Sequence, residues 1–131
     1  MIVRSAGGII FNNGRFLVLK HKDGRFVSPK GRLESQEDDI EAAYREIREE
    51  SGLSSLEFFG PIGMESYLLK SGDQKVVTWF LFRALKPEEV FLEEETFSSA
   101  QWLDFETART TYSHQSFVNI LEKAHHTLLE Q

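Results

Sequence analysis

Three glutamates, Glu46, Glu49 and Glu50, stand in the run REIREESG over residues 45–52. On a helix, about 100° per residue puts Glu49 and Glu50 about 60° and 40° to either side of Glu46. All three carboxylates therefore share one face. They also crowd the last turns before Gly52, where the helix dipole makes each acid cost about 0.3–1 kcal/mol. Like charges at i, i+3 and i+4 repel as well. A bound cation makes such a cluster favourable. All-carboxylate oxygen donors suit Mg²⁺, or Mn²⁺ in its place, with phosphate oxygens and water completing the shell. The competing reading of an acidic helix face is that water alone solvates it.

The elements that must position these groups can be read from pattern. A helix is predicted from about residue 36 or 37 to residue 50, with Ile40, Ala43, Tyr44 and Ile47 as its apolar stripe. Gly52 suits the position just past the helix end, and Leu53 can pack back onto Ile47. Ahead of it, GGIIFNNGRFLVLKHKDGRFVS reads as strands joined by tight turns at Asn13-Gly14 and Asp23-Gly24, both two-residue hairpin signals. Strands are predicted at 56–69 and 75–84, with a short one near 100–105. The chain then closes on an amphipathic helix through Phe117, Ile120, Leu121, Ala124 and Leu128. Strands, helix, strands, helix is a mixed α/β pattern with helices packed on a sheet.

Composition narrows the classes. The 131 residues fit one domain, read as spanning 1–131, and they carry a net charge of −6. That charge argues against general nucleic-acid binding. No cysteine is present, which excludes disulfide and thiol chemistry and suits a cytoplasmic setting. No signal pattern opens the chain, and the apolar run at 76–82 is too short to span a bilayer. The four histidines show no metal-ligand spacing, and His125-His126 are expected at the surface.

From Gly31 the segment GRLESQEDDIEAAYREIREESGL resembles the Nudix box. Gly31, Glu37, Arg45, Glu46, Ile47, Glu49, Glu50, Gly52 and Leu53 fall at its required positions without a gap. The opening Ala6-Gly7-Gly8, the SPKG before the box and the later Trp102 extend the resemblance over nearly the whole chain. It implies a Nudix-type α/β/α sandwich with a mixed sheet and a loop–helix–loop metal site. It also implies water attack on a phosphorus of a nucleoside diphosphate linked to another group. Carried over by position, Glu46, Glu49 and Glu50 are metal ligands, with Glu46 the candidate general base. Glu37 and Arg45 complete the catalytic set as an ion pair tying loop to helix, and Gly31 allows close backbone approach. Many members add a glutamate six residues before the late tryptophan. Here that position is Thr96, so Glu95, then Glu94, is the candidate fourth ligand.

Five cations against one acid between residues 20 and 32 could attract a polyphosphate. Lys30 and Arg32, adjoining the box, and Lys75 are the expected phosphate contacts. Trp79 and Tyr112 are the candidates for stacking on a base. SPKGRLE and KVVTWFLF look most like the small Nudix hydrolases of diadenosine tetraphosphate, although the second proline and the histidine of that subgroup's SPPKGHVE are missing. The implied partner is a small nucleotide, with nucleoside triphosphates and diphosphoinositol polyphosphates as alternatives and a non-catalytic nucleotide sensor as the other class. A monomer or homodimer is expected, with no membrane association.

Overall fold

The computed structural model describes residues 1–130. Strands β1 (Ile2–Asn12), β2 (Arg15–His21), β3 (Phe26–Val27) and β4 (Lys30–Arg32) lead into helix α1 (Asp39–Ser51). Then follow β5 (Leu56–Leu68), β6 (Gln74–Ala84), a 3₁₀ turn at Pro87–Glu89, β7 (Phe97–Asp104), and helices α2 (Phe105–Thr111) and α3 (Gln115–Leu129). The sheet runs β3-β2-β1-β6-β5, with β4 on β1 and β7 on β2. It is mixed: β1 and β6 are parallel, and their neighbours are antiparallel. Two apolar layers result. On one face Ala42, Ala43 and Ile47 of α1 pack with Ile10, Leu17, Phe82 and Leu53. On the other, Phe117, Leu121 and Ala124 of α3 pack with Ile9, Val18, Trp79 and Leu81. The result is the expected α/β/α sandwich.

Helix α1 starts later than its periodicity suggests. Asp38 caps it by accepting from the Glu41 N–H at 2.8 Å, and the Glu41 carboxylate accepts in turn from the Asp38 N–H at 3.1 Å. This reciprocal cap outcompetes an earlier start at residue 36 or 37. The buried face also turns: Ile40 is exposed, while Ala42 and Ser51 are buried. Gly52 ends the helix at φ 81°, a left-handed conformation cheap only for glycine, and its N–H reaches the Arg48 carbonyl at 2.9 Å. The loop at 91–93 then caps what is left. Phe91 N–H donates to the Ser51 carbonyl (2.8 Å) and Glu93 N–H to the Glu50 carbonyl (3.2 Å). The turn at Asn13-Gly14 takes the expected positive φ at both residues, whereas at Asp23-Gly24 only Gly24 does. That second connection is a longer loop, closed by His21 N–H on the Arg25 carbonyl at 2.7 Å.

Candidate active site

Arg45 organises the acidic face of α1. Each of its five N–H donors has an acceptor. Nε and Nη2 grip Glu37 at 2.7 and 2.9 Å, and Nη2 also reaches the Arg32 carbonyl at 2.9 Å. Nη1 spans Glu46 at 2.8 Å and Glu49 at 3.1 Å. One guanidinium thus ties β4, the loop before α1 and two box carboxylates together. The fork holds the Glu37 carboxyl down at about 2, chiefly through its hydrogen bonds from Arg45 and then from the Glu34 N–H. The same bonds raise Arg45 further above its already high value.

Glu50 behaves differently. Burial pushes its carboxyl up to about 8, against a hydrogen bond from the Lys30 N–H at 3.0 Å, and the charge of adjacent Glu46 adds to the rise. Among the described residues no three acidic or imidazole groups converge as a ready-made metal cage. The donor chemistry nonetheless fits a hard divalent cation, because Glu50 is a half-buried carboxylate beside a second one and lacks a side-chain cation of its own among the described ion pairs. The run Glu93 to Glu95 lies in the loop docked on the end of α1, with Glu94 and Glu95 exposed.

The pleat of β4 splits its neighbours between two faces. Gly31 points toward α1, where a Cβ would fall on the Glu46 carboxylate. Lys30 and Arg32 therefore project to the opposite side. There a cavity of about 350 Å³ is lined by Phe26, Lys30, Glu65, Tyr67, Trp79 and Phe117, with His114 and Ser116 among its further walls. Lys30 Nζ donates to the Tyr67 hydroxyl at 3.0 Å. Burial depresses the Lys30 ammonium, which Glu65 partly offsets. Burial also depresses Lys75, and the charges of Lys30 and Arg32 lower it further. The three expected phosphate cations are thus mutual neighbours.

Two aromatic expectations change. Tyr112 is not at a binding surface: it is 6% exposed, its hydroxyl donates to the Leu17 carbonyl at 2.8 Å, and its ring packs on Phe117. The core between α3 and the sheet needs that ring more than solvent does. Trp79 is 1% exposed and forms the cavity wall, its indole N–H donating to Glu65 at 2.7 Å. His125 is also half-buried, stacked on Phe105 at 3.8 Å.

A family model described as the NUDIX domain matches residues 1–123. The chain belongs to the Nudix family. It is similar to the mouse asymmetrical bis(5′-nucleosyl)-tetraphosphatase, at 27% identity over 98% of this chain and 97% of the relative. The rat protein of that description is 25% identical over the same shares. Among solved structures, a C. elegans Ap4A hydrolase binary complex superposes with a TM-score of 0.88, at 25% identity, over 98% of this chain and 99% of that one. An E. coli dihydroneopterin triphosphate pyrophosphohydrolase shares the fold at a TM-score of 0.78, with 19% identity over 92% of each chain. Family and relatives together make this Nudix chain a pyrophosphohydrolase, of a family that generally uses divalent metals such as Mg²⁺. No helix among the described residues is long and apolar enough to cross a membrane.

The sequence pattern did not reveal Glu65, Tyr67, Phe26 or Phe117. Two of them are placed only by strand pairing. In the β5–β6 register Tyr67 stands opposite Lys75 and Glu65 opposite Val77, on the pleat that also carries Trp79. The Nudix glycine gives a direct test. Gly31→Ala forces the Glu46 carboxylate aside, so kcat/KM falls about 100-fold, the usual cost of a misplacement near 1 Å. The melting temperature changes little, because the group that yields is the end of a flexible side chain. Unchanged turnover would show that Glu46 does not need this position.

Proposed function

We propose that this Nudix pyrophosphohydrolase cleaves a dinucleoside polyphosphate such as diadenosine tetraphosphate, asymmetrically, with Mg²⁺ held by Glu46, Glu49 and Glu50 and a further contact from Glu95. One observation carries the reading. Lys30 donates its backbone N–H to Glu50 at 3.0 Å while its side chain lines the aromatic-walled cavity. The acidic cluster and a space suited to a nucleoside thus meet at one residue, with Arg32 and Lys75 beside it. The relatives' printed activity agrees with this assignment.

In this reading the cation, when bound, polarises phosphate oxygens and lowers the pKa of the attacking water. The protein's own groups do the rest. Arg45 fixes Glu46 and Glu49 in orientation, and Glu46 accepts the proton from the water. Lys30, Lys75 and Arg32 hold the phosphate chain, and Trp79, Tyr67 and Phe26 enclose a nucleoside. Water adds to one phosphorus, the bridging oxygen leaves with the longer fragment, and a tetraphosphate yields a nucleoside triphosphate plus a monophosphate. The aromatic walls disfavour a diphosphoinositol polyphosphate, whose ring carries charge all around.

A substrate panel with product identification tests this. With Mg²⁺, diadenosine and diguanosine tetraphosphates are cut to triphosphate and monophosphate faster than nucleoside triphosphates are cut, and EDTA abolishes turnover. Turnover that persists in EDTA would remove the metal assignment. A panel in which only nucleoside triphosphates react would move the substrate to that class.

A further inference from the structure

Glu65 is a buried carboxylate that the proposed reaction does not use. It is 8% exposed and faces the cavity. Its Oε1 accepts from the Trp79 indole N–H at 2.7 Å, and its Oε2 accepts from the Ser116 hydroxyl. The Lys30 ammonium is close enough to feel its charge but gives its hydrogen bond to Tyr67, so no cation donates to Glu65 among the described contacts. A carboxylate offers about four lone-pair sites and accepts only. Two are filled by protein, which leaves one on each oxygen for a ligand. Burying a charge in this state is costly unless hydrogen bonds complete it. The two donors on opposite oxygens also fix the plane of the group, so the remaining sites are a rigid pair of acceptors.

We infer that Glu65 makes the cavity prefer guanine to adenine, so that among dinucleoside polyphosphates a diguanosine compound binds better than its diadenosine counterpart, with the carboxylate accepting from the N1–H and the 2-amino group along one edge of the base. Those two donors lie side by side and match the two carboxylate oxygens. Adenine presents one amino donor beside the bare N1 acceptor, which sets a lone pair against the carboxylate. The walls suit a flat ring: Phe26, Trp79, Tyr67 and Phe117 surround the space, and Trp79 is held in place by Glu65 itself. A ribose diol is the other common pair of donors for a carboxylate. It suits an aromatic-walled cavity less well than a base does. This inference rests on the reading of the cavity as a nucleoside site and sharpens which base it takes.

Titration calorimetry of the intact protein in EDTA, with nucleoside monophosphates as probes, separates the cases. GMP binds about tenfold or more tightly than AMP, the usual discrimination of a good bidentate contact. IMP, which lacks the 2-amino group, falls between them, and dGMP equals GMP. Glu65→Gln, whose amide both donates and accepts, loses the preference for GMP and gains affinity for AMP. Equal binding of AMP and GMP would overturn the inference. So would equal binding of IMP and GMP, or a loss with dGMP as large as that with AMP, the signature of diol recognition. The wild-type series decides the matter even where the variant is unstable. A guanine preference without cleavage of any dinucleoside polyphosphate sinks the proposed substrate and leaves this inference standing. Cleavage without base preference does the reverse.

Discussion

Glu50→Gln lowers kcat by about two orders of magnitude or more while the protein remains folded. Loss of a group that merely supports a metal ligand costs about 10–100-fold, and Glu50 is proposed as a ligand itself. Glutamine keeps the shape and the acceptor for the Lys30 N–H, so the change removes charge and little else. Stability separates this outcome from simple damage. The folded-state carboxyl is raised to about 8, mainly by burial. For an acid with a raised pKa the neutral form belongs to the fold. Its contribution is complete below the unfolded value near 4.5 and declines as pH rises toward 8. Without metal at pH 8.5, Glu50→Gln therefore melts no lower than wild type. Mg²⁺ raises the melting temperature of wild type more than that of the variant. A variant that turns over normally, or one that melts lower in EDTA, would take Glu50 out of the metal site.

Arg45→Ala produces the largest loss of stability on the acidic face, about 2–4 kcal/mol. The range follows from breaking a largely buried ion pair, with some relief because the Arg45 side chain is 14% exposed. The truncation leaves Glu37, Glu46 and Glu49 without their common partner and frees the Arg32 carbonyl. Arg45→Lys rescues little, since three donors on a flexible stem cannot replace five in a planar fork. Acid titration isolates the Glu37 share. Its carboxyl is depressed to about 2, so its stabilisation is present above about 4.5 and is lost as pH falls toward 2. Urea midpoints measured across that window decline in wild type and less steeply in Glu37→Gln. Identical slopes would assign the fork no role in acid stability.

The acidic helix was legible in sequence because its chemistry demands particular residues at particular spacings on one element. Local geometry alone places Glu46, Glu49 and Glu50 on a face and stops the helix at Gly52. The cavity was not legible, because Phe26, Glu65, Trp79 and Phe117 come from four separate segments. Glu65 and Trp79 meet only through the β5–β6 register, which shifts between Phe58 and Gly60 and again between Pro61 and Gly63. Each bulge exchanges the faces on which later side chains stand, so alternation counted along β5 cannot tell where Glu65 points. Tyr112 failed as a ligand candidate for a different reason. An aromatic between two helices serves the core unless something holds the core open. Ile40 and the start of α1 were misread because the Asp38–Glu41 cap outweighs periodicity at a helix end.

The parallel ladder between β1 and β6 also sets an order of events in folding. It joins Ile2 to Gln74 and continues to Phe11 opposite Arg83, so its partners are 72 residues apart. Such non-local pairing forms slowly, since the entropy of closing a long loop is lost before any contact rewards it. Lys30, Gly31, the whole of α1 and Glu65 lie inside that loop. A nascent chain therefore holds the three glutamates of α1 well before it can assemble the site. Assembly waits for β6, whose arrival between β1 and β5 joins the two halves of the sheet and brings Trp79 to the cavity wall.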